Sequence, residues 1–278
     1  MLAKEARNAL TPTEAADVLA RAVVEAGELA LAMQRKGVRI WNKEHNSPVT
    51  DADIAADKLL RERLMTVAPG YGWLSEESEL GDTTTARHWI VDPIDGTRSF
   101  IKGLTDWSVA TALVESGRPI AAALFAPATE ELFVAVAGQG ATRNGTRIEV
   151  TAARTLAGAR IAGPKSTLER IERSGIPFDA VPRIHSLALR MVRVASGEID
   201  VALASENSRN WDLAAADLLV HEAGGALTSI EGRRLTYDRP DAEHPALAAA
   251  GSGLHPALLA TLEAALAEQR RAHSASQL

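Results

Sequence analysis

Apolar residues recur at helical spacing early in the chain, then give way to short strand-like runs. Ala15, Val18, Leu19, Ala22, Val23, Ala26, Leu29, Ala30 and Met33 trace one face of a helix. Thr11-Pro12-Thr13-Glu14 starts it: Thr11 caps, Pro12 suits the first helical position, and Glu14 completes a capping box. Gly37 ends it, and the stripe predicts core or a dimer surface. A second helix is predicted from near Asp53 to Val67, with Ile54, Leu59, Leu60 and Leu64 facing inward. Asp51 and Asp53 stand at its start, where carboxylates cap free N–H groups. Between the two helices, Trp41 to Val49 reads as a loop carrying Lys43, His45 and Ser47-Pro48.

His88-Trp89-Ile90-Val91 reads as a short buried strand ending at Asp92. Trp107–Val114, Pro119–Phe125 and Leu132–Ala137 suggest an antiparallel meander, with Glu115-Ser116-Gly117 and Asn144-Gly145 as turn signals. From about residue 150 the pattern changes. Apolar strands at Ala159–Ala162, Val201–Ala204 and Leu247–Ala250 alternate with helices near Leu168–Arg173, Ser186–Ser196, Leu213–Ala223 and Pro256–Gln269. The fold class is therefore α/β with an α+β N-terminal half. Residues 1–150 would carry the first half and residues 151–278 the second. Ala272 to Leu278 is polar and predicted to fray.

Composition narrows the function. With 278 residues, 46% hydrophobic and 24% charged, the chain can bury a sizeable core. A net charge of −6 argues against a nucleic-acid polymer as partner. It does not argue against a small anionic substrate, because a bound divalent cation reverses the local sign. There are no cysteines, so no disulfide and no thiolate metal site is possible. The first residues show no apolar signal region and no stretch is long enough to span a bilayer. The expectation is a cytoplasmic protein without a membrane partner.

The candidate chemistry centres on Asp92-Pro93-Ile94-Asp95-Gly96-Thr97 and, far along the chain, Trp211-Asp212. Carboxylates crowded this way repel one another unless cations lie between them. Oxygen ligands without cysteine suit Mg²⁺ rather than zinc or copper. Pro93 holds Asp92 extended at the strand end, and Gly96 allows close backbone approach to a ligand. Thr97–Ile101 opens a short helix whose free N–H groups would face a phosphate. On these residues alone a capping turn is the competing reading, and Asp212 is equally readable as the N-cap of Leu213–Ala223. Gly224-Gly225 would end that helix, and Trp211 would pack rather than react.

Taken in order, Glu76-Glu77-Ser78, Asp92 to Thr97, and Trp211-Asp212-Leu213-Ala214-Ala215 running to Glu222-Ala223-Gly224-Gly225 resemble the inositol monophosphatase family. The resemblance covers most of the chain. It implies a layered α-β-α-β-α sandwich of the sugar-phosphatase type, a Mg²⁺-dependent, lithium-sensitive phosphomonoesterase, and a homodimer. It implies that Glu76, Asp92 and the Ile94 carbonyl hold one Mg²⁺, and that Asp92, Asp95 and Asp212 hold a second, with Asp92 bridging. A third ion would lie near Glu76. Asp95 and the Gly96 and Thr97 amides would form the phosphate site. Thr97, oriented by Asp53, would be the catalytic partner of an attacking water, with Glu76. Glu77 reads as a solvated charge.

The match thins where substrate choice would be set. Inositol-specific relatives have G-[ST]-A-A where this chain has His185-Ser186-Leu187-Ala188, which implies a bulkier wall. Those relatives also place a Glu seven residues before the W-D aspartate; Ser205 stands there, with Glu206 next to it, and Asp200 to Asp212 looks one residue longer. His185, Ser186, Glu206 and Asp212 are therefore the candidate substrate-binding residues. An inositol 1-phosphate-like substrate leads. Leu74-Ser75-Glu76-Glu77 and Gly96 to Ile101 are also similar to 3′(2′),5′-bisphosphate nucleotidases, which act on 3′-phosphoadenosine 5′-phosphate. Phe100-Ile101-Lys102-Gly103-Leu104 is similar to histidinol-phosphate phosphatases. Arg183, His185 and Arg209 are candidates for a second phosphate. A non-catalytic metal- or phosphate-binding regulator is the reading from another class.

Overall fold

The computed structural model describes residues 9–43, 47–78, 85–239 and 241–275, with side chains through residue 267. Helix α1 (Pro12–Lys36) has the predicted capping box at Thr11 and Glu14 and stops at Gly37. Strands β1 (Ile40–Asn42) and β2 (Pro48–Thr50) follow, then α2 (Asp51–Val67), β3 (Gly72–Ser75), β4 (Arg87–Asp95) and the one-turn α3 (Thr97–Ile101). The meander comprises β5 (Ser108–Glu115), β6 (Arg118–Ala126), β7 (Glu131–Val136), β8 (Gly140–Arg143) and β9 (Thr146–Ile148). The second half runs β10 (Arg160–Ala162), α4 (Lys165–Arg173), β11 (Asp179–Ala180), α5 (Leu187–Ala195), β12 (Val201–Ala204), β13 (Ser208–Arg209), α6 (Asn210–Glu222), β14 (Gly225–Ser229), β15 (Glu243–His244), β16 (Leu247–Gly251) and α7 (His255–Ala275).

Two sheets organise the molecule. One has seven strands in chain order β3 to β9, antiparallel except for the parallel β3–β4 pair. The other has five strands ordered β11-β10-β12-β16-β14, parallel across the first three and antiparallel at β16. Because both faces of each sheet are covered, the strands read as near-continuous apolar runs. Pleating sends alternate residues to different layers. Trp89, Val91, Val109 and Leu113 pack with Leu19, Val23, Leu60 and Leu64 of the α1–α2 layer. Ile90, Ala110, Ala112 and Leu124 face the other way, onto Leu189, Val192, Leu213 and Leu219 of α5 and α6. Beyond them, Val201, Leu203, Ala248 and Ala250 pack with Ile171, Leu258 and Leu262 of α4 and α7. The result is the expected α-β-α-β-α layering. The α1 stripe is core within the chain. Among the described residues no helix is long and apolar enough to cross a membrane.

Several local expectations are corrected. Where a loop is expected over Trp41–Val49, the described residues on its two sides pair as a ribbon: Ile40 with Thr50, Trp41 with Val49 and Asn42 with Pro48. His45, within it, lies outside the described residues. Ile54 is 43% exposed, while Asp53 and Asp57 are buried on the inward face of α2. Counting apolar residues misreads this helix, because its buried acids serve the site and the loop after β3. Asp212 is the third residue of α6, not its N-cap, because the helix begins at Asn210. Helix α7 continues through Ala275, so it includes the first residues of the segment expected to fray.

Candidate metal and phosphate site

The site forms where β4 ends beside the N-termini of α3, α5 and α6. The β4–β5 pairing runs regularly up to Asp92 opposite Ala110, then shifts, so that Asp95 lies opposite Ser108. That irregularity holds Pro93 and Ile94 and turns both aspartates to one place. Gly96 follows with φ 93° and ψ 35°. A Cβ there would stand 3.1 Å from the Ser186 amide nitrogen and 3.2 Å from the Asp106 carbonyl, so only glycine fits the conformation and the close approach.

Asp92, Asp95 and Asp212 offer oxygens that all lie within 4.8 Å of one another. Their surroundings differ. The Asp95 carboxylate accepts the Ser186 hydroxyl at 2.5 Å and the Leu187 and Ala188 amides at 3.1 and 2.6 Å, all from the start of α5. Asp212 accepts the Arg209 amide at 2.6 Å, the half of a capping box that a third helical residue provides. Asp92 is 1% exposed, and neither of its oxygens has a hydrogen-bond partner. A buried carboxylate with no donor is costly unless it is protonated or beside a cation. Burial pushes both Asp92 and Asp212 well above the usual carboxylate range, and the neighbouring acids add to it. Asp95 is raised by burial against its three donors. Oxygen-only ligands around an orphaned, buried acid fit a hard divalent cation.

Glu76 follows β3, its amide donating to the Val91 carbonyl at 3.3 Å. Asp57 fixes this turn by accepting the Ser75 and Ser78 hydroxyls at 2.5 and 2.8 Å. Burial raises Glu76 too, partly offset by Lys43, whose ammonium stands 3.4 Å from its carboxylate. Glu77 is not a solvated charge: its side chain is 3% exposed and pairs with Lys43 at 2.6 Å. The β1–β2 ribbon delivers Lys43, which is why the loop reading missed it as a site residue.

Thr97 connects the site to α2. Its hydroxyl donates towards Asp53 Oδ1 at 3.3 Å and the Ile94 carbonyl at 3.1 Å. The other Asp53 oxygen accepts the Thr50 amide and hydroxyl at 2.8 and 2.6 Å. Burial raises Asp53 to about 6 despite these donors. Asp53 thus both caps α2 and accepts from Thr97, which lines the cavity described next.

A cavity of about 250 Å³ opens over the acids, lined by Glu76, Asp92, Ile94, Asp95, Gly96, Thr97 and Asp212, and beyond them by Arg98, Arg183 and His185. Of the candidate substrate residues, His185 and Asp212 line it. Ser186 is fully buried beneath Asp95, also 3.0 Å from the Ser108 hydroxyl, so it supports a ligand rather than touching one. Glu206 is exposed and outside the lining. Arg209 pairs with Glu243 at 2.7 Å, also away from the cavity. Sequence reading missed Asp106. Its Oδ2 accepts the His185 amide and faces His185 Nδ1, each at 2.7 Å, while Oδ1 accepts the Ser99 hydroxyl.

The sequence profile of the inositol monophosphatase family matches residues 11–268. The chain belongs to that family. An inositol-1-monophosphatase from Rhizobium meliloti is 35% identical over 229 residues, covering 78% of this chain and 85% of that protein. A histidinol-phosphatase from Mycobacterium tuberculosis is 38% identical over 208 residues, covering 70% and 79%. The solved extragenic suppressor protein SuhB of Bartonella henselae superposes with a TM-score of 0.79 at 30% identity, covering 88% of this chain and 97% of that one. The inositol monophosphatase-type chain described here is a phosphoric monoester hydrolase, and its family is Mg²⁺-dependent.

Proposed function

We propose that the protein hydrolyses a small phosphate monoester, of inositol 1-phosphate type, by direct in-line attack of water. The observation that carries this reading is Asp92, buried with both oxygens unpartnered beside Asp95 and Asp212. Glu76, Asp92, the Ile94 carbonyl, Asp95 and Asp212 would hold two or three Mg²⁺. When bound, these ions neutralise the acids and supply Lewis acidity to the attacking and leaving oxygens.

The chain's own groups do the rest. The single proton of the Thr97 hydroxyl is directed inward, to Asp53 and the Ile94 carbonyl. Towards the cavity Thr97 is therefore an acceptor, able to orient a water O–H. As the water gives its proton to the Thr97 oxygen, the Thr97 proton passes to Asp53, which burial raises to about 6 and so makes a better proton acceptor. Gly96 and Thr97 line the cavity floor at the start of α3, where backbone N–H groups suit phosphoryl oxygens. The water oxygen bonds to phosphorus as the phosphorus–alkoxide bond breaks, and the alkoxide leaves with a proton from solvent. The 38% identical histidinol-phosphatase supports histidinol phosphate as a second reading. Among the described residues the cavity lining holds no Phe, Tyr or Trp on which an adenine would stack, which weighs against a nucleotide.

The test is phosphate release from inositol 1-phosphate, histidinol phosphate and 3′-phosphoadenosine 5′-phosphate, each with Mg²⁺ and with EDTA. Release that requires Mg²⁺ and is strongest for inositol 1-phosphate is expected. Equal release in EDTA, or none from any substrate, would overturn the reading.

A further inference from the structure

The cavity rim carries positive charge that a neutral leaving group does not call for. Arg98 and Arg183 line the cavity and both are exposed. Among the described residues neither has a carboxylate within salt-bridge distance, whereas Arg209, Arg193, Arg160 and Arg143 all do. The placement of Arg183 is built. Two residues on, the His185 ring and amide are both held by Asp106, whose other oxygen takes the Ser99 hydroxyl of α3. The Ser186 amide donates to the Asp106 carbonyl at 3.2 Å, tying the same loop to the segment after α3. Arg190, whose charge already acts on Asp95 and Asp106, is half-buried and holds the Ile184 and Leu203 carbonyls, so it is not the rim cation. The loop thus presents a guanidinium over the cavity, beside a ring with one nitrogen already engaged.

We infer that Arg183, assisted by Arg98, binds a second acidic group of the substrate, a carboxylate or a further phosphate, beyond the phosphate that is hydrolysed. This rests on the hydrolysis proposed above and goes beyond it in the leaving group, which would carry an acid that inositol 1-phosphate lacks. A planar guanidinium pairs with carboxylate or phosphate through two parallel N–H donors, a match that a polyol hydroxyl does not offer. A protonated amine, as in histidinol phosphate, would meet two like charges at this rim.

The test compares 3-phosphoglycerate with glycerol 3-phosphate, which share a three-carbon frame and differ by a carboxylate in place of a hydroxymethyl group. kcat/KM with Mg²⁺, and Kd by calorimetry, are measured for the wild type, Arg183→Ala and Arg183→Lys. The wild type should favour the acidic compound by about tenfold, the scale of one charge-assisted pair. That ratio should collapse towards one in Arg183→Ala and partly recover in Arg183→Lys. A wild-type ratio at or below one, or a ratio unchanged in Arg183→Ala, would overturn the inference. If neither compound is hydrolysed, the phosphatase reading suffers, while the Kd ratio still decides this proposal by the same criteria.

Discussion

The acidic loop Asp92–Thr97 and the segment Arg183–His185 line one cavity and are built in opposite ways. On the loop side, Asp92 and Asp95 are 1% and 7% exposed, fixed by a strand end and by donors from α5. On the wall side, Arg183 is exposed, Glu206 stands away from the cavity, and one partly exposed carboxylate, Asp106, orders His185. The difference teaches where each kind of function can be placed. Reaction chemistry needs charge held rigidly in a poorly solvated place, where every interaction is strong. Substrate choice needs only a surface that touches the leaving group, and loops can change it without disturbing the core.

The largest break in this contrast should come from Asp92→Asn. Mg²⁺-dependent phosphate release should fall by at least about 10³-fold, or about 4 kcal/mol of barrier. The gain in Tm on adding Mg²⁺ should vanish with it; a variant that retains both would remove Asp92 from the metal site. Thr97→Val comes next. It keeps the shape and deletes the hydroxyl, so kcat should drop by about 10²-fold, the lower end for a lost proton-transfer partner. Mg²⁺ affinity should be retained, which calorimetry would check.

Ser186→Ala leaves the cavity wall untouched and removes one of three donors to Asp95. About tenfold weaker Mg²⁺ dependence of activity is expected, as for other outer partners of metal ligands. A change in substrate preference without any change in metal dependence would return Ser186 to the wall.

Charge crowding also predicts a pH effect on stability. Burial raises Asp53 from 3.8 to about 6, and raises Asp92, Asp95, Asp212 and Glu76 as well. The folded, metal-free chain therefore holds these protons more tightly than the unfolded chain. The contribution of these acids to stability is greatest below the ordinary carboxylate value and falls as pH rises, for Asp53 between 3.8 and about 6. Mg²⁺ relieves that repulsion only where the acids are ionised, so its Tm gain should be larger at pH 8 than at pH 5, by about 5 °C. Equal gains measured by calorimetry at both pH values would contradict the crowding argument.

The smallest effect belongs to Glu206→Ala. With its side chain outside the cavity lining, kcat/KM should stay within about twofold of the wild type, as for surface substitutions away from special features. A loss comparable to that of Thr97→Val would collapse the contrast between loop and wall.

What the chain determines by itself is local. Thr11 and Glu14 are spaced to close a capping box, and Asn144-Gly145 adopts φ of 49° and 77° as its hairpin requires. Asp92, Pro93 and Gly96 place two acids at a strand end using only short-range sterics. These rules act over a few residues, so they are legible without a fold. Which acids meet, and what faces them, was decided by tertiary structure. Asp53 is inward and Ile54 outward because α2 turns its acids towards Thr97 and Ser75, against its apolar count. Ser186 reads as substrate wall along the chain, but the fold brings the start of α5 to the end of β4 and puts its hydroxyl under Asp95, 91 positions away. Lys43 reaches Glu76 and Glu77 only through the β1–β2 ribbon, and His185 is ordered by Asp106 across 79 positions. Such contacts follow from sheet register and layer packing, which no local spacing encodes.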